Sequence, residues 1–256
     1  MKSLLNKRVP LAHLPTPIDY YPKMSKYFGI ELFVKRDDLT ESIASGNKIR
    51  KIEYVLYRAK KEGADTLVTC GGLQSNHCRA VAWTAAKMGF RCTLILRNDY
   101  DCTHENCSND LQGNLLIDYL LGVKVHIYSH EKFNSIDVLK NNICSHLIEK
   151  GQKPYYIPMG ASNATGSLGY VRMIQELVQK KVQYEHIYCA VGSGGTLAGI
   201  MLGCQYFNRL EKIHGIPVCD NTGYFISELS RIQGEFKKEY NLNLDISGCN
   251  TILDDN

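Results

Sequence analysis

Three short segments concentrate the groups that could do chemistry. In Ser45-Gly46-Asn47-Lys48, the lysine falls in what reads as the first turn of a helix. A helix N-terminus disfavours a cation, and Arg50 and Lys51 stand close by, so both influences press Lys48 toward its free amine. That amine is the nucleophile a Schiff-base lysine requires. The same run of basic residues is also the pattern of a solvated basic face. The second segment, Gly71-Gly72-Leu73-Gln74-Ser75-Asn76-His77, sets three polar side chains at a helix start. Ser75 or Asn76 can serve there as an ordinary N-cap. The functional alternative is a substrate-carboxylate pocket in which the Ser75 hydroxyl donates beside free backbone N–H groups, with His77 a polar helix-start residue rather than a catalytic base. In the third segment, Gly192-Ser193-Gly194-Gly195-Thr196, the glycines let backbone N–H groups converge on an anion. The following helix start adds partial positive charge, and Thr196 adds a hydroxyl. This loop lacks the lysine of a Walker loop and does not match G-x-G-x-x-G, so it points to a phosphate group. Glycines placed for tight helix–strand packing would look the same.

Other chemistries find little support. Gly160-Ala161-Ser162-Asn163-Ala164 only loosely resembles a nucleophile elbow, with no oxyanion loop or Asp/His order to support it. No His-Glu-x-x-His occurs. Cys102, His104 and Cys107 bring three soft ligands close together, but no fourth ligand has a recognisable spacing, and a polar surface loop is expected there. The other cysteines are scattered without a Cys-x-x-Cys pair, the pattern of reduced thiols packed as small hydrophobes in a cytoplasmic protein.

The elements that must position these segments alternate. Short β-branched runs predict strands at residues 31–35, 66–70, 92–96, 123–127, 155–158 and 186–191. Helical spacing predicts helices at 47–62, 76–88, 112–121, 136–150, 166–181, 196–208 and 223–240, the first two closed by Gly63 and Gly89. Alternation of this kind predicts an α/β protein with parallel-rich sheets covered on both faces. Each of the three polar segments precedes a helix, and in such sheets ligands gather at the carboxyl ends of strands.

The chain has 256 residues, 44% hydrophobic and 22% charged, enough for one large domain or two small ones. Thirty basic against 26 acidic residues give a net charge of +4, too evenly mixed to argue for nucleic acid. No apolar run has the length of a membrane span, and the N-terminus lacks the apolar core of a signal peptide. At the other end, TILDDN begins an apolar stretch and stops, which leads us to expect that a further element is missing.

Taken in order, these segments resemble the fold-type II pyridoxal-phosphate enzymes, and within them the 1-aminocyclopropane-1-carboxylate deaminase/D-cysteine desulfhydrase family. The stretches that carry the resemblance are Pro15-Thr16-Pro17, Val34-Lys35-Arg36-Asp37-Asp38, Gly46-Asn47-Lys48-Ile49-Arg50-Lys51, Gln74-Ser75-Asn76-His77, Gly160–Ala164 and Gly192–Thr196. The resemblance implies a large domain of residues 1–50 and 161–256, a small domain of 51–160, and pyridoxal 5′-phosphate in the cleft between them. It implies that Lys48 bonds to the cofactor and shuttles the α-proton. Asn76 is expected at the ring hydroxyl, and Gly192, Ser193, Gly194, Gly195 and Thr196 at the phosphate. Ser75, with Asn76 and His77, is expected at the substrate, where Ser75 binds the carboxylate or acts as a nucleophile. The implied activity is α,β-elimination on a small D-amino acid such as D-cysteine, giving pyruvate, ammonia and sulfide. Gln-Ser-Asn-His tilts this expectation away from the alternative, 1-aminocyclopropane-1-carboxylate deamination. An L-specific β-replacing synthase fits the Gln74–His77 loop least. The family implies a homodimer. Its members also continue past Asp255 with a Gly-Tyr-Gly segment, a further tyrosine and a partner for the pyridine nitrogen. A truncated, non-catalytic paralogue acting as a binding protein is therefore the competing expectation, and an uncovered edge would favour self-association.

Overall fold

The computed structural model describes residues 1–98, 111–247 and 251–253. Its centre is a four-stranded, all-parallel sheet. Strands β3 (Thr66–Gly72), β4 (Arg91–Asn98), β5 (Lys124–Ser129) and β6 (Pro154–Ile157) lie in the order β5-β4-β3-β6. Helices α4 (Asn76–Met88), α5 (Gly113–Leu120), α6 (His130–Phe133) and α7 (Ile136–Glu149) connect them. All but the last residue of β3 are buried, as a strand covered on both faces must be. A second parallel sheet, in the order β7-β8-β9, holds β7 (His186–Val191), β8 (Lys212–Pro217) and β9 (Thr251–Leu253). It carries α8 (Ala164–Gln179), α9 (Gly195–Tyr206) and α10 (Thr222–Tyr240). Before these come α1 (Lys2–Leu5), the antiparallel pair β1 (Ile18–Tyr20) and β2 (Phe33–Lys35), and α2 (Pro22–Phe28).

One helix belongs to both cores. Helix α3 (Asn47–Lys61) turns Tyr54 into a cluster with Leu168, Val171, Ile174 and Leu197. It turns Ile49, Ile52, Val55 and Leu56 into another with Leu67, Val81, Leu94 and Ile157. Apolar positions on two flanks make it a wedge rather than a surface helix. Helix α8 packs so tightly against it that a Cβ on Gly169 would lie 2.6 Å from the Arg50 carbonyl oxygen.

The α/β expectation holds, and strand 186–191 and helix 76–88 fall where the sequence puts them. The other expected elements differ at their ends by one or two residues. Helix α8 starts at Ala164, not 166, because the Asn163 carboxamide accepts from Gly166 N at 2.8 Å and caps it early. Strands β1, β8 and β9 and helices α1, α2 and α6 are additional. Strand β8 reads Lys-Ile-His-Gly-Ile-Pro, and its Gly and Pro look like turn residues until β7 and β9 pair on either side.

Candidate active site

The start of α3 is held by a buried ionic network. The Asp37 carboxylate accepts from Arg50 Nε at 2.9 Å and Nη2 at 2.8 Å, from the Tyr170 hydroxyl at 2.7 Å and from Thr16 Oγ1 at 3.0 Å. Glu176 takes Arg50 Nη1 and the Lys35 ammonium, each at 2.8 Å. Two cations therefore meet two carboxylates, and Arg50 is fully buried yet neutralised. Gly46 N donates to the Asp37 carbonyl and to Thr40 Oγ1, both at 3.0 Å, which ties the turn before Lys48 to the same network.

Lys48 and Lys51 have no such partner: no carboxylate among the described residues pairs with either. Lys48 Nζ donates to Asn47 Oδ1 at 3.1 Å, and Asn47 Nδ2 donates to Thr196 Oγ1 at 3.0 Å. An open pocket lined by Asn47, Lys48, Gly192, Ser193, Gly194 and Thr196 lies at this junction. Lys51 is fully buried and donates to Ser162 Oγ at 3.3 Å. Ser162 Oγ also accepts from Gly195 N at 3.2 Å and donates to Ser193 Oγ at 2.8 Å. A Cβ at Gly195 would stand 2.6 Å from Ser162 Oγ and 2.7 Å from Lys51 Nζ, so only glycine leaves this cradle open. Burial lowers the Lys48 pKa to about 8. Burial, and then the Lys48 charge, push Lys51 well below the ordinary lysine value.

The basic-face alternative is thereby corrected. Arg50 and Lys51 point into the protein, because α3 is enclosed on both flanks and the carboxylates and hydroxyls that meet it come from distant segments. Two amines, the start of α9 and the hydroxyls of Ser162, Ser193 and Thr196 form a positive, donor-rich cradle. This composition fits a phosphate dianion beside a reactive aldehyde. Sequence reasoning missed Lys51, Ser162 and Asn47 as site residues. The run Gly160–Ala164 stood out as a motif but offered no partner for its serine.

The middle segment forms the turn between β3 and α4. Ser75 caps α4, its Oγ accepting from Cys78 N at 3.2 Å, while its O–H is left to donate. The cap and the pocket are thus compatible. Asn76 is exposed, with its Oδ1 accepting from Asn114 Nδ2 at 2.9 Å. His77 is not a solvated helix-start group: its ring is buried and Nε2 meets Thr69 Oγ1 at 2.8 Å. Burial, then the charges of Lys48 and Lys51, push its pKa well down, so it stays neutral. Arg79, one turn on, donates to the Ser45 carbonyl at 3.0 Å and so joins this segment to the Lys48 turn. Cys102, His104 and Cys107 lie outside the described residues. Among the described residues no group of His, Cys, Asp and Glu is placed to hold a metal, and no helix is long and apolar enough to cross a membrane.

The comparisons with known proteins agree with this chemistry. The profile of the family "Pyridoxal-phosphate dependent enzyme" matches residues 9–234. An inferred 1-aminocyclopropane-1-carboxylate deaminase of Thermotoga maritima is 40% identical over 228 residues, covering 88% of this chain and 70% of that protein. The mitochondrial bifunctional D-cysteine desulfhydrase/1-aminocyclopropane-1-carboxylate deaminase of Arabidopsis thaliana is 40% identical over 233 residues, 88% of this chain and 58% of its own length. Among solved structures, an ACC deaminase homologue superposes with a TM-score of 0.87 at 34% identity, covering 98% of this chain and 75% of that one. A fungal L-serine ammonia-lyase from Rhizomucor miehei shares the fold at TM-score 0.65 and 19% identity, covering 84% of this chain and 63% of that one. This chain belongs to the pyridoxal-phosphate-dependent enzymes of fold type II, in the family of the 1-aminocyclopropane-1-carboxylate deaminases and D-cysteine desulfhydrases.

Proposed function

We propose that the chain is a lyase that opens small amino acids by α,β-elimination, with D-cysteine as substrate. D-Cysteine and one water become pyruvate, ammonia and hydrogen sulfide. The observation that carries the reading is the convergence of two carboxylate-free lysines, Lys48 and Lys51, on the Gly192–Thr196 cradle. Lys51, Ser162 and the loop from Gly192 through Ser193, Gly194 and Gly195 to Thr196 hold the phosphate. Lys48 Nζ, with its pKa lowered to about 8 by burial, is the amine that bonds to the aldehyde and then carries the α-proton. Bound pyridoxal phosphate supplies an electron sink for the charge left at the substrate α-carbon. Asn76 offers its amide to the ring oxygen, and Ser75, whose O–H is unspent by its cap, donates to the substrate carboxylate. Neutral His77 backs this turn from below through Thr69. The same reading divides the chain into a large unit of residues 1–50 and 161–256 and a small unit of 51–160.

Deamination of 1-aminocyclopropane-1-carboxylate is the second reading, supported by the names of the Thermotoga and Arabidopsis relatives. It uses the same cradle and lysine. The tilt toward D-cysteine rests on the Gln74–His77 segment.

The test is to load the protein with pyridoxal phosphate, offer each substrate in turn, and repeat with Lys48→Ala. Pyruvate and sulfide from D-cysteine, lost in the variant together with the cofactor's visible band, support the first reading. A four-carbon 2-oxo acid and ammonia from the cyclopropane substrate alone would assign the second. Neither product from folded, cofactor-loaded protein would overturn both in favour of a non-catalytic binding protein.

A further inference from the structure

Asn76 stands in a hydrogen-bonded chain whose polarity is fixed from outside. Asn114, at the start of α5, uses its whole side chain. Its Oδ1 accepts from Arg79 Nη1 at 2.9 Å. Its Nδ2 donates to the Gln74 carbonyl at 2.8 Å and to Asn76 Oδ1 at 2.9 Å. A guanidinium can only donate and a peptide carbonyl can only accept, so the Asn114 amide has one permitted orientation. The atom of Asn76 that faces it must then be the acceptor, Oδ1. That leaves the Asn76 Nδ2 group as the end free to meet a ligand. The chain also has two anchors. Arg79 Nη2 donates to the Ser45 carbonyl at 3.0 Å, in the turn that carries Lys48. Gln74 Oε1 accepts from Asn114 N at 2.8 Å, and Gln74 Nε2 donates to the Gln112 carbonyl at 3.1 Å, binding the turn to α5.

We propose that Arg79 and Asn114 are positioning residues that fix the amide of Asn76 as a hydrogen-bond donor toward the bound cofactor and hold its turn in register with the Lys48 turn. This rests on the reading that Asn76 meets the cofactor's ring oxygen. A donor at that oxygen favours its ionised form, so the relay acts on the cofactor's own titration as well as on its affinity. Neither residue need touch cofactor or substrate.

The experiment follows the visible absorbance of the cofactor-loaded protein across pH, with pyridoxal phosphate affinity and far-UV circular dichroism, for Asn76→Ala, Asn114→Asp and Arg79→Met. Asn114→Asp keeps shape but removes the donor, so Asn76 must turn its NH2 group to the new carboxylate and present its oxygen to the ring. The expected result is a shift of the cofactor's spectral titration by about one pH unit in the same direction as Asn76→Ala, with affinity about 10–100-fold weaker. Arg79→Met leaves the Gln74 carbonyl alone to orient the Asn114 amide and cuts the tie to the Ser45 carbonyl, so the Asn76 amide is held less firmly. A smaller shift of the same sign is expected, which keeps the test decisive should Asn114→Asp fail to fold. Folded Asn114→Asp or Arg79→Met with the parent's spectral titration, beside a shifted Asn76→Ala, would overturn the relay and leave the role of Asn76 standing. An unshifted Asn76→Ala would overturn that role and the relay with it.

Discussion

Lys48 and Lys51 are neighbours on one face of a helix, and their burial sets opposite demands on the apo and loaded protein. An ordinary lysine titrates near 10.5, and burial brings Lys48 to about 8. In the interval between those values the unfolded chain binds more protons than the folded one, so this group makes stability rise with pH across about pH 8 to 10.5. Reactivity has the same sign, because only the free amine attacks an aldehyde. The rate of pyridoxal phosphate capture, followed by stopped-flow absorbance, is expected to climb about tenfold per pH unit below pH 8 and to level off above it. A flat profile from about pH 6 to 9 would contradict the assigned titration. Lys51 is more deeply buried and donates only to a serine. Replacing it in Lys51→Met removes a costly buried amine and, on the proposed function, a phosphate partner at once. The apo-protein is expected to gain about 1–4 kcal/mol in denaturant unfolding. Cofactor affinity should fall about 10–100-fold in an absorbance titration. A variant that loses stability while keeping affinity would show that Lys51 is a structural residue alone.

At the level of elements, helix α3 brings the site together because its polar face is not a surface. Glu176 on α8 pairs with both Arg50 and Lys35, so Glu176→Gln leaves buried Arg50 with Asp37 alone and half-buried Lys35 without its ion-pair partner. A loss of about 3–5 kcal/mol in denaturant unfolding is expected, with the start of α3 the region most exposed to hydrogen exchange. A loss below about 1 kcal/mol would mean that Asp37 alone suffices. The alternating pattern that made α/β architecture legible reports only which residues of an element share a face. It carried the central strands and long helices to within a few residues, while Lys48, Ser75 and the Gly192–Thr196 loop stood out by residue type rather than by period, and the role expected of Asn76 came from the family resemblance. What it could not report is which distant segment covers a face. Glu176 lies 126 positions from Arg50, and Ser162 lies 111 from Lys51, so the buried network and half of the donor-rich cradle look like solvated polar residues in one dimension. Strands as short as Ile18–Tyr20 hold too few residues for alternation to register.

For the molecule as a whole, the site is also a cross-link between distant stretches of chain. Asn47 meets Thr196 across 149 positions, and Lys51 meets Ser162, so the cradle exists only when α3, the Gly160–Ala164 turn and the start of α9 are all in place. A ligand that binds this assembled cradle and not the unfolded chain must stabilise the entire fold. At about 100 times its dissociation constant, pyridoxal phosphate is expected to add about 2.7 kcal/mol, roughly 5–10 °C in a thermal melt of a chain this size. Pyridoxal carries the same aldehyde but no phosphate, and it should raise the melting temperature by less than half as much at equal concentration, since Lys48 is then its main anchor. Gly195→Ala separates the two contributions further. Its Cβ intrudes between Ser162 Oγ and Lys51 Nζ, so the shift with pyridoxal phosphate should drop to that given by pyridoxal. Equal shifts from both compounds in the parent protein would mean that the glycine loop does not hold a phosphate. The lysines would then need another anion to account for their burial without carboxylates.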